Sequence, residues 1–143
     1  MKPERCRGCP LEDAPGPVWG NGAKDARMVL IGEAPGHEEV TSGVGFVGPA
    51  GRVLGVVCRV AGVDQGACWV TNAVKCLPPK RGKTHAPTTA EIEFCGVAWL
   101  RDELLGLDEA TVVVAIGAVA FQAVTGKRRE VTQWRGAILE EGE

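Results

Sequence analysis

The apolar positions of the chain fall into short runs with sharp ends. Met28-Val29-Leu30-Ile31 is apolar throughout and has turn signals on both sides, the pattern of a central parallel strand buried on both faces. Val53, Leu54, Val57, Cys58 and Ala61 recur at helical spacing between Pro49 and Val63, which predicts a helix packed on the sheet. Ala67 to Lys75, ACWVTNAVK, predicts a second strand. The Pro- and Lys-rich stretch from Cys76 to Pro87 is incompatible with regular structure. Thr88-x-x-Glu91 then offers a capping box, and Ile92, Cys95 and Trp99 carry a helix through Leu104. Thr111 to Ile116, TVVVAI, is a third strand, and Ala118 to Thr125 a short helix stopped by Gly126. Strands that alternate with helices three times predict an α/β fold, helices flanking a short parallel sheet with right-handed crossovers.

In open α/β sheets ligands bind beyond the carboxyl ends of the strands. Here the first strand empties into Gly32-Glu33-Ala34-Pro35-Gly36, and a second glycine-rich turn carrying Phe46 precedes the next helix. Gly32, Pro35 and Gly36 let backbone N–H groups approach a ligand closely. Glu33 stands at a strand end with no structural duty visible in the sequence. Residues 1 to 27, rich in Pro, Gly and charge, predict a strap over the surface and little core.

The 143 residues suit one domain, with neither an internal repeat nor a dividing linker. No run approaches the roughly 18 apolar residues of a membrane helix, and MKPERC lacks the apolar region of a signal peptide, so a cytoplasmic site is expected. A net charge of -2 argues against a global basic field. Local clusters remain, one of Lys75, Lys80, Arg81 and Lys83, another of Lys127, Arg128 and Arg129. Six cysteines without a signal peptide argue against a disulfide framework and for metal or cluster chemistry. The Cys6-x2-Cys9 pair would anchor the strap, because a segment that cannot bury a face gains order from ligation. Cys58, on the apolar helix face, is expected in the core.

Taken together, Gly32 to Gly36, Gly43 to Gly51 (GVGFVGPAG) and Thr71 to Pro79 (TNAVKCLPP), with Cys6-x2-Cys9 before and Cys95 after, resemble the iron–sulfur uracil-DNA glycosylases, family four of that superfamily. The resemblance covers about residues 6 to 136. It implies a three-layer α/β/α domain with a four-stranded parallel sheet, a 4Fe–4S cluster, and removal of uracil from DNA by cleavage of the bond between base and sugar. By position, Cys6, Cys9, Cys76 and Cys95 would be the cluster ligands, although zinc could occupy the same four sulfurs. Glu33 would orient or activate the attacking water and stabilise the oxocarbenium-like sugar. Phe46 would stack on the extruded base and Asn72 read its polar edge, with Gly32 and Ala34 lining the pocket. Glu39 would lie near uracil's C5 and help exclude the methyl of thymine. Lys75, Lys80, Arg81, Lys83 and His85 would contact DNA phosphates, and the protein is expected to act on uracil-containing DNA as a monomer away from membranes.

Three departures from the family pattern qualify these expectations. The family's last motif, a His-Pro-Ser-like segment after a further strand, has no counterpart before Glu143, so a truncated domain with an open sheet edge beside the third strand is expected. Val44-Gly45 replaces the common Arg-Pro before Phe46. The loop Lys80 to His85 is similar to that of the cross-linking glycosylases, in which a histidine traps the sugar covalently, but His85 is displaced by one residue and Ala34 stands where that group has Gln. Two alternatives stay open at this point: a non-catalytic iron–sulfur protein that binds DNA or a partner, and a covalent glycosylase using His85.

Overall fold

The computed structural model describes residues 2–107, 112–127 and 132–138. Its centre is a four-stranded sheet in the order β1-β3-β2-β4, formed by β1 (Asn21–Gly22), β2 (Met28–Gly32), β3 (Trp69–Asn72) and β4 (Val112–Ala115). Strand β2 pairs in parallel with β3 on one side and β4 on the other. The side chains of β2 sort by the two-residue period of a strand. Val29 and Ile31 pack with Leu100 and Ala120 on one face, and Leu30 packs with Cys58, Cys68 and Val70 on the other. Helices therefore cover both faces: α2 (Pro49–Val60) lies on the Leu30 side, while α3 (Thr89–Cys95), α4 (Arg101–Leu105) and α5 (Ala118–Thr125) lie on the other or extend from it. This is the expected α/β/α layering.

Four details differ from the sequence-based expectation, each for a local reason. The sheet is mixed, because β1 runs antiparallel to β3. Its Gly22 has φ +132°, and a Cβ there would stand 2.1 Å from the carbonyl oxygen of Cys68, so only glycine brings this chain so close to the strand. The N-terminal segment is also more than a strap: Leu11, Val18 and Ala26 are buried, and its backbone pairs with residues 75 and 77 through Val18 N–H to the Lys75 carbonyl (2.7 Å) and Leu77 N–H to the Pro15 carbonyl (2.9 Å). A short helix, α1 (His37–Ser42), occupies the loop after Gly36 and ends at Gly43 in the left-handed region. Finally, the helix from Thr89 to Leu105 contains a π-helical turn, Gly96–Leu100, between α3 and α4.

The capping box at Thr88 forms as the sequence predicts, with Thr88 Oγ1 accepting from Glu91 N–H and a Glu91 carboxylate oxygen accepting from Thr88 N–H. The predicted strand from Ala67 shortens to Trp69–Asn72, since Gln65–Ala67 is a 3-10 turn and the chain leaves the sheet after Asn72. Thr111, the predicted start of the third strand, lies outside the described residues. Among the described residues no strand pairs with the outer edge of β4, where Val112 and Val113 are exposed, and no helix is long and apolar enough to cross a membrane.

Candidate active site and cysteine-lined cavity

The carboxyl ends of β2 and β3 lie side by side, with Gly32 opposite Asn72 in the parallel register. The pairing continues past both strands, as Ala73 N–H donates to the Gly32 carbonyl (2.9 Å) and Val74 N–H to the Glu33 carbonyl (3.1 Å). A Cβ on Gly32 would fall 2.6 Å from Asn72 Oδ1 and 2.7 Å from Phe46 Cζ. The missing side chain is thus what lets the Asn72 amide and the Phe46 ring meet beside Glu33. This glycine is needed for space rather than for its backbone angles.

Phe46 is held in an uncommon conformation, at φ +60°, the one described non-glycine residue with positive φ. Its turn is pressed onto the start of α2, where a Cβ on Gly51 would fall 1.8 Å from the Phe46 carbonyl oxygen. Such a conformation persists only where the surrounding structure over-determines it. Val44 and Gly45 therefore do not leave the ring unplaced, because Gly51 and the turn fix it from the other side.

Glu33 is exposed, and its carboxylate has no hydrogen-bonded or ionic partner among the described residues. The walls of the mouth nevertheless remove enough water to push its carboxyl above the ordinary carboxylate value. Asn72 is buried, yet its side-chain amide has no partner among the described residues. Both are polar groups left free at a strand end. Ala34, by contrast, turns its methyl group into the cluster of Leu11, Val74, Cys76, Ile92 and Cys95.

Glu39, expected near uracil's C5, has its carboxylate taken up by the backbone of the two glycine-rich turns. It is buried, and its two carboxylate oxygens accept from Gly36 N–H (3.0 Å) and Gly48 N–H (2.7 Å), stapling one glycine-rich turn to the other. Gly48 caps α2, so the staple also places negative charge at that helix's N-terminus. Sequence reasoning could have found this role: Glu39 stands three residues after Gly36, the spacing of a capping acid.

Two of the proposed phosphate contacts also change. Lys75 is 1% exposed, and its ammonium donates to Thr71 Oγ1 (2.6 Å), the Asn72 carbonyl (2.8 Å) and Glu103 Oε2 (2.8 Å), so it cannot reach DNA. Burial pulls its pKa down while Glu103 opposes that shift. Arg81, though its side chain is 40% exposed, grips both carboxylate oxygens of the buried Glu91 (2.6 and 3.2 Å), so its charge is shared with an acid of the chain itself. Lys80 and Lys83 stay exposed. His85 donates from Nδ1 to the Pro78 carbonyl (2.7 Å), which can only accept, and its ring meets that of His37 edge-on with centroids 5.3 Å apart. The only two histidines of the chain thus adjoin at α1. In the second basic cluster Lys127 lies over the Trp134 ring, while Arg128 and Arg129 are outside the described residues.

Behind the mouth, Cys6, Cys9, Cys76 and Cys95 line one cavity together with Lys2, Leu11, Phe94 and Trp99. They come from the N-terminal segment, the chain after β3 and the end of α3. Lys75 N–H donates to Cys95 Sγ (3.3 Å) and Leu11 N–H to Cys9 Sγ (3.4 Å). Burial pushes the Cys95 thiol up to about 11 and raises Cys9 and Cys76 as well, each further raised by its cysteine neighbours. Among the described residues no three His, Cys, Asp or Glu side chains gather as a single metal ion would require. Cys58 and Cys68 belong to the core on the far face of the sheet.

Comparison with known proteins extends this geometry. The Uracil DNA glycosylase superfamily pattern matches residues 19–141. The chain is 38% identical over 136 residues to the Type-4 uracil-DNA glycosylase of Thermotoga maritima, an alignment covering 93% of this chain and 68% of the relative. It is 33% identical over 144 residues to the Type-4 enzyme of Archaeoglobus fulgidus, covering 90% and 70% respectively. A Type-5 uracil-DNA glycosylase of Pyrobaculum aerophilum is 35% identical over 125 residues, covering 77% of this chain and 52% of that one.

Proposed function

Because the chain belongs to the uracil-DNA glycosylase superfamily, and is a DNA-repair hydrolase of N-glycosyl bonds, we propose that the mouth at the ends of β2 and β3 receives a uracil turned out of DNA and hydrolyses its bond to the sugar. The observation that carries this reading is the meeting of the Asn72 amide and the Phe46 ring, set on a strained backbone, over the bare Cα of Gly32, with Glu33 the next residue along the strand end. Each answers one demand of base extrusion. Phe46 replaces the stacking lost from the duplex. The Asn72 amide offers an acceptor for uracil N3–H and a donor for O4, a pattern that cytosine reverses.

Glu33 supplies the chemistry. Its carboxylate accepts a proton from a water whose oxygen bonds to C1′ of the sugar as the C1′–N1 bond breaks and its electron pair leaves with uracil. Negative charge beside C1′ also favours the oxocarbenium-like transition state. An acid with a raised pKa is the better proton acceptor once ionised, and the structure leaves it unencumbered for that task.

The four cavity cysteines are proposed to bind a 4Fe–4S cluster. What supports this is their convergence from three chain segments, with backbone N–H groups aimed at two of the sulfurs. Zinc could occupy the same four sulfurs, and the cluster is preferred because the cysteines stand with the other motifs that resemble the iron–sulfur glycosylases. Held by Cys6, Cys9, Cys76 and Cys95, such a group would tie the N-terminal segment to the chain after β3 and to α3. Such thiol ligation suits a reducing cytoplasm. Lys80 and Lys83, which are exposed, and His85, whose ring meets that of His37, are assigned to DNA phosphates, with one chain sufficient for the site.

The test is an end-labelled oligonucleotide bearing one uracil, split into alkali-treated and untreated halves. Cleavage that needs alkali and disappears with Glu33→Ala is expected. A slowly migrating band surviving denaturation would instead assign a covalent bond to the protein, and an unchanged oligonucleotide would remove the proposed chemistry. Iron and sulfide analysis, with Cys95→Ala as control, is expected to give near-equal iron and sulfide in the parent protein and a loss of both in the variant.

A further inference from the structure

We propose that Lys75 is a positioning residue that holds Asn72 in register for uracil, and that it acts as the joint between the cysteine cavity and the mouth. This rests on the assignment of Asn72 to uracil. Lys75 lies between Asn72 and Cys76 and makes contacts toward both. Its N–H donates to Cys95 Sγ (3.3 Å), and its carbonyl accepts from Val18 N–H (2.7 Å), so its main chain is tied to the cavity wall and the N-terminal segment. Its side chain turns back beneath the strand end. There the three ammonium donors meet three acceptors, Thr71 Oγ1 (2.6 Å), the Asn72 carbonyl (2.8 Å) and Glu103 Oε2 (2.8 Å).

The geometry gives this arrangement more than a packing role. Thr71 Oγ1 also donates to Glu103 Oε2 (2.8 Å), closing a small ring of hydrogen bonds around the ammonium. Glu103 Oε1 in turn accepts from Gly20 N–H (3.4 Å), reaching back to the N-terminal segment. Asn72 has no side-chain partner among the described residues to fix its amide, so its orientation depends on its backbone, which the pairing with β2 holds on one side and the Lys75 ammonium holds at the carbonyl. An apolar side chain could fill the same space at similar or lower cost in stability, since buried ion pairs rarely outperform hydrophobic replacements. What it could not supply is a donor for the Asn72 carbonyl. A buried pair retained directly behind a recognition residue is thereby assigned to recognition.

Inhibition of the purified enzyme by free uracil reads this without depending on the chemical step. In Lys75→Met/Glu103→Met both charges leave together, so no unpaired carboxylate remains. The expected result is near-parental melting temperature and visible cluster absorbance, with uracil inhibition weakened about tenfold, the equivalent of one to two lost hydrogen bonds. Parental inhibition in that variant would overturn the proposal and leave Lys75 a counter-charge only. Should the double variant fail to fold, Thr71→Val removes one anchor of the ammonium while keeping the shape. A loss of about threefold is then expected, and no loss would overturn the proposal. Asn72→Ala run beside them separates the two readings: unchanged inhibition there would refute the assignment of Asn72 itself, whereas a loss there with none in the Lys75 variants refutes only the role of Lys75.

Discussion

The mouth and the support behind it are built from the same residue types put to opposite uses. In the mouth, Glu33 and Asn72 keep their polar atoms free, and Phe46 carries backbone strain. In the support, Glu39, Lys75, Glu91 and Glu103 have their charges matched by backbone N–H groups, hydroxyls or counter-ions. Burial of a charge costs several kcal/mol unless it is paired, so the paired groups carry structure and the unpaired ones are available to a ligand. Glu33 and Glu39 state the contrast most sharply. They lie six positions apart in one glycine-rich stretch, one open at a strand end and the other buried with both oxygens occupied.

The largest expected effect breaks that contrast on its catalytic side. Glu33→Ala should lower the rate of uracil release by roughly 10²–10³-fold, the usual consequence of losing one preorganised group at developing charge. Its melting temperature should not fall below that of the parent, because the removed carboxylate has no partner among the described residues and is desolvated where it stands. Glu39→Ala should do the reverse in kind: two charge-assisted hydrogen bonds disappear, costing about 2–4 kcal/mol in urea unfolding. Equal stability losses in the two variants would erase the distinction.

Gly32→Ala sharpens the comparison from the side of space. Its Cβ would stand 2.6 Å from Asn72 Oδ1 and 2.7 Å from Phe46 Cζ, and real Cβ atoms do not approach so closely. Either the amide or the ring must yield, so uracil release should fall by about tenfold or more, as sub-ångström misplacement of a site commonly costs that much. Parental steady-state kinetics would show that the two side chains need not meet.

Much of this arrangement was legible in the sequence, and what was not has a common cause. The strands at Met28 and Val112, the helix after Pro49 and the capping box at Thr88 follow from local patterns, so they appear where periodicity and cap residues place them. The layering on both faces follows from continuous apolar runs. The N-terminal strand, the burial of Lys75 and Glu39 and the pairing of Arg81 depend on partners outside the local pattern: Cys68 for Gly22, Glu103 for Lys75, Glu91 for Arg81, Gly48 for Glu39. A run of basic residues near a site invites assignment to phosphate, but two of the four cations around residues 75–83 meet acids of the chain itself. Only Glu39 left a nearby sign, its spacing from Gly36.

The pH response tests whether Glu33 is desolvated as its surroundings imply. Its pKa is raised from an ordinary 4.5, so the native state binds its proton more tightly than the unfolded chain does. Its contribution to stability is therefore present at acid pH and lost as pH rises through the raised value. Activity needs the ionised form and rises over the same window. Glu33→Gln should then be more stable than the parent at neutral pH and indistinguishable from it near pH 4. An acid limb of kcat/KM lying at or below the ordinary carboxylate value would show that solvent reaches Glu33 freely.

The smallest effect concerns the two lysines that the loop leaves outward. Lys80 and Lys83 are exposed, whereas Lys75 and Arg81 are taken up by Glu103 and Glu91. If phosphate contacts come from the outward pair, each neutralised phosphate adds about one unit to the salt dependence of DNA binding. Lys80→Ala/Lys83→Ala should thus weaken binding similarly for oligonucleotides with and without uracil. It should also reduce the slope of log Kd against log salt by about 1–2, with free-uracil inhibition unchanged. An unaltered slope would move the DNA track away from the 78–87 loop. A change confined to uracil-containing DNA would instead mean that the loop shapes the mouth and does not simply attract the backbone.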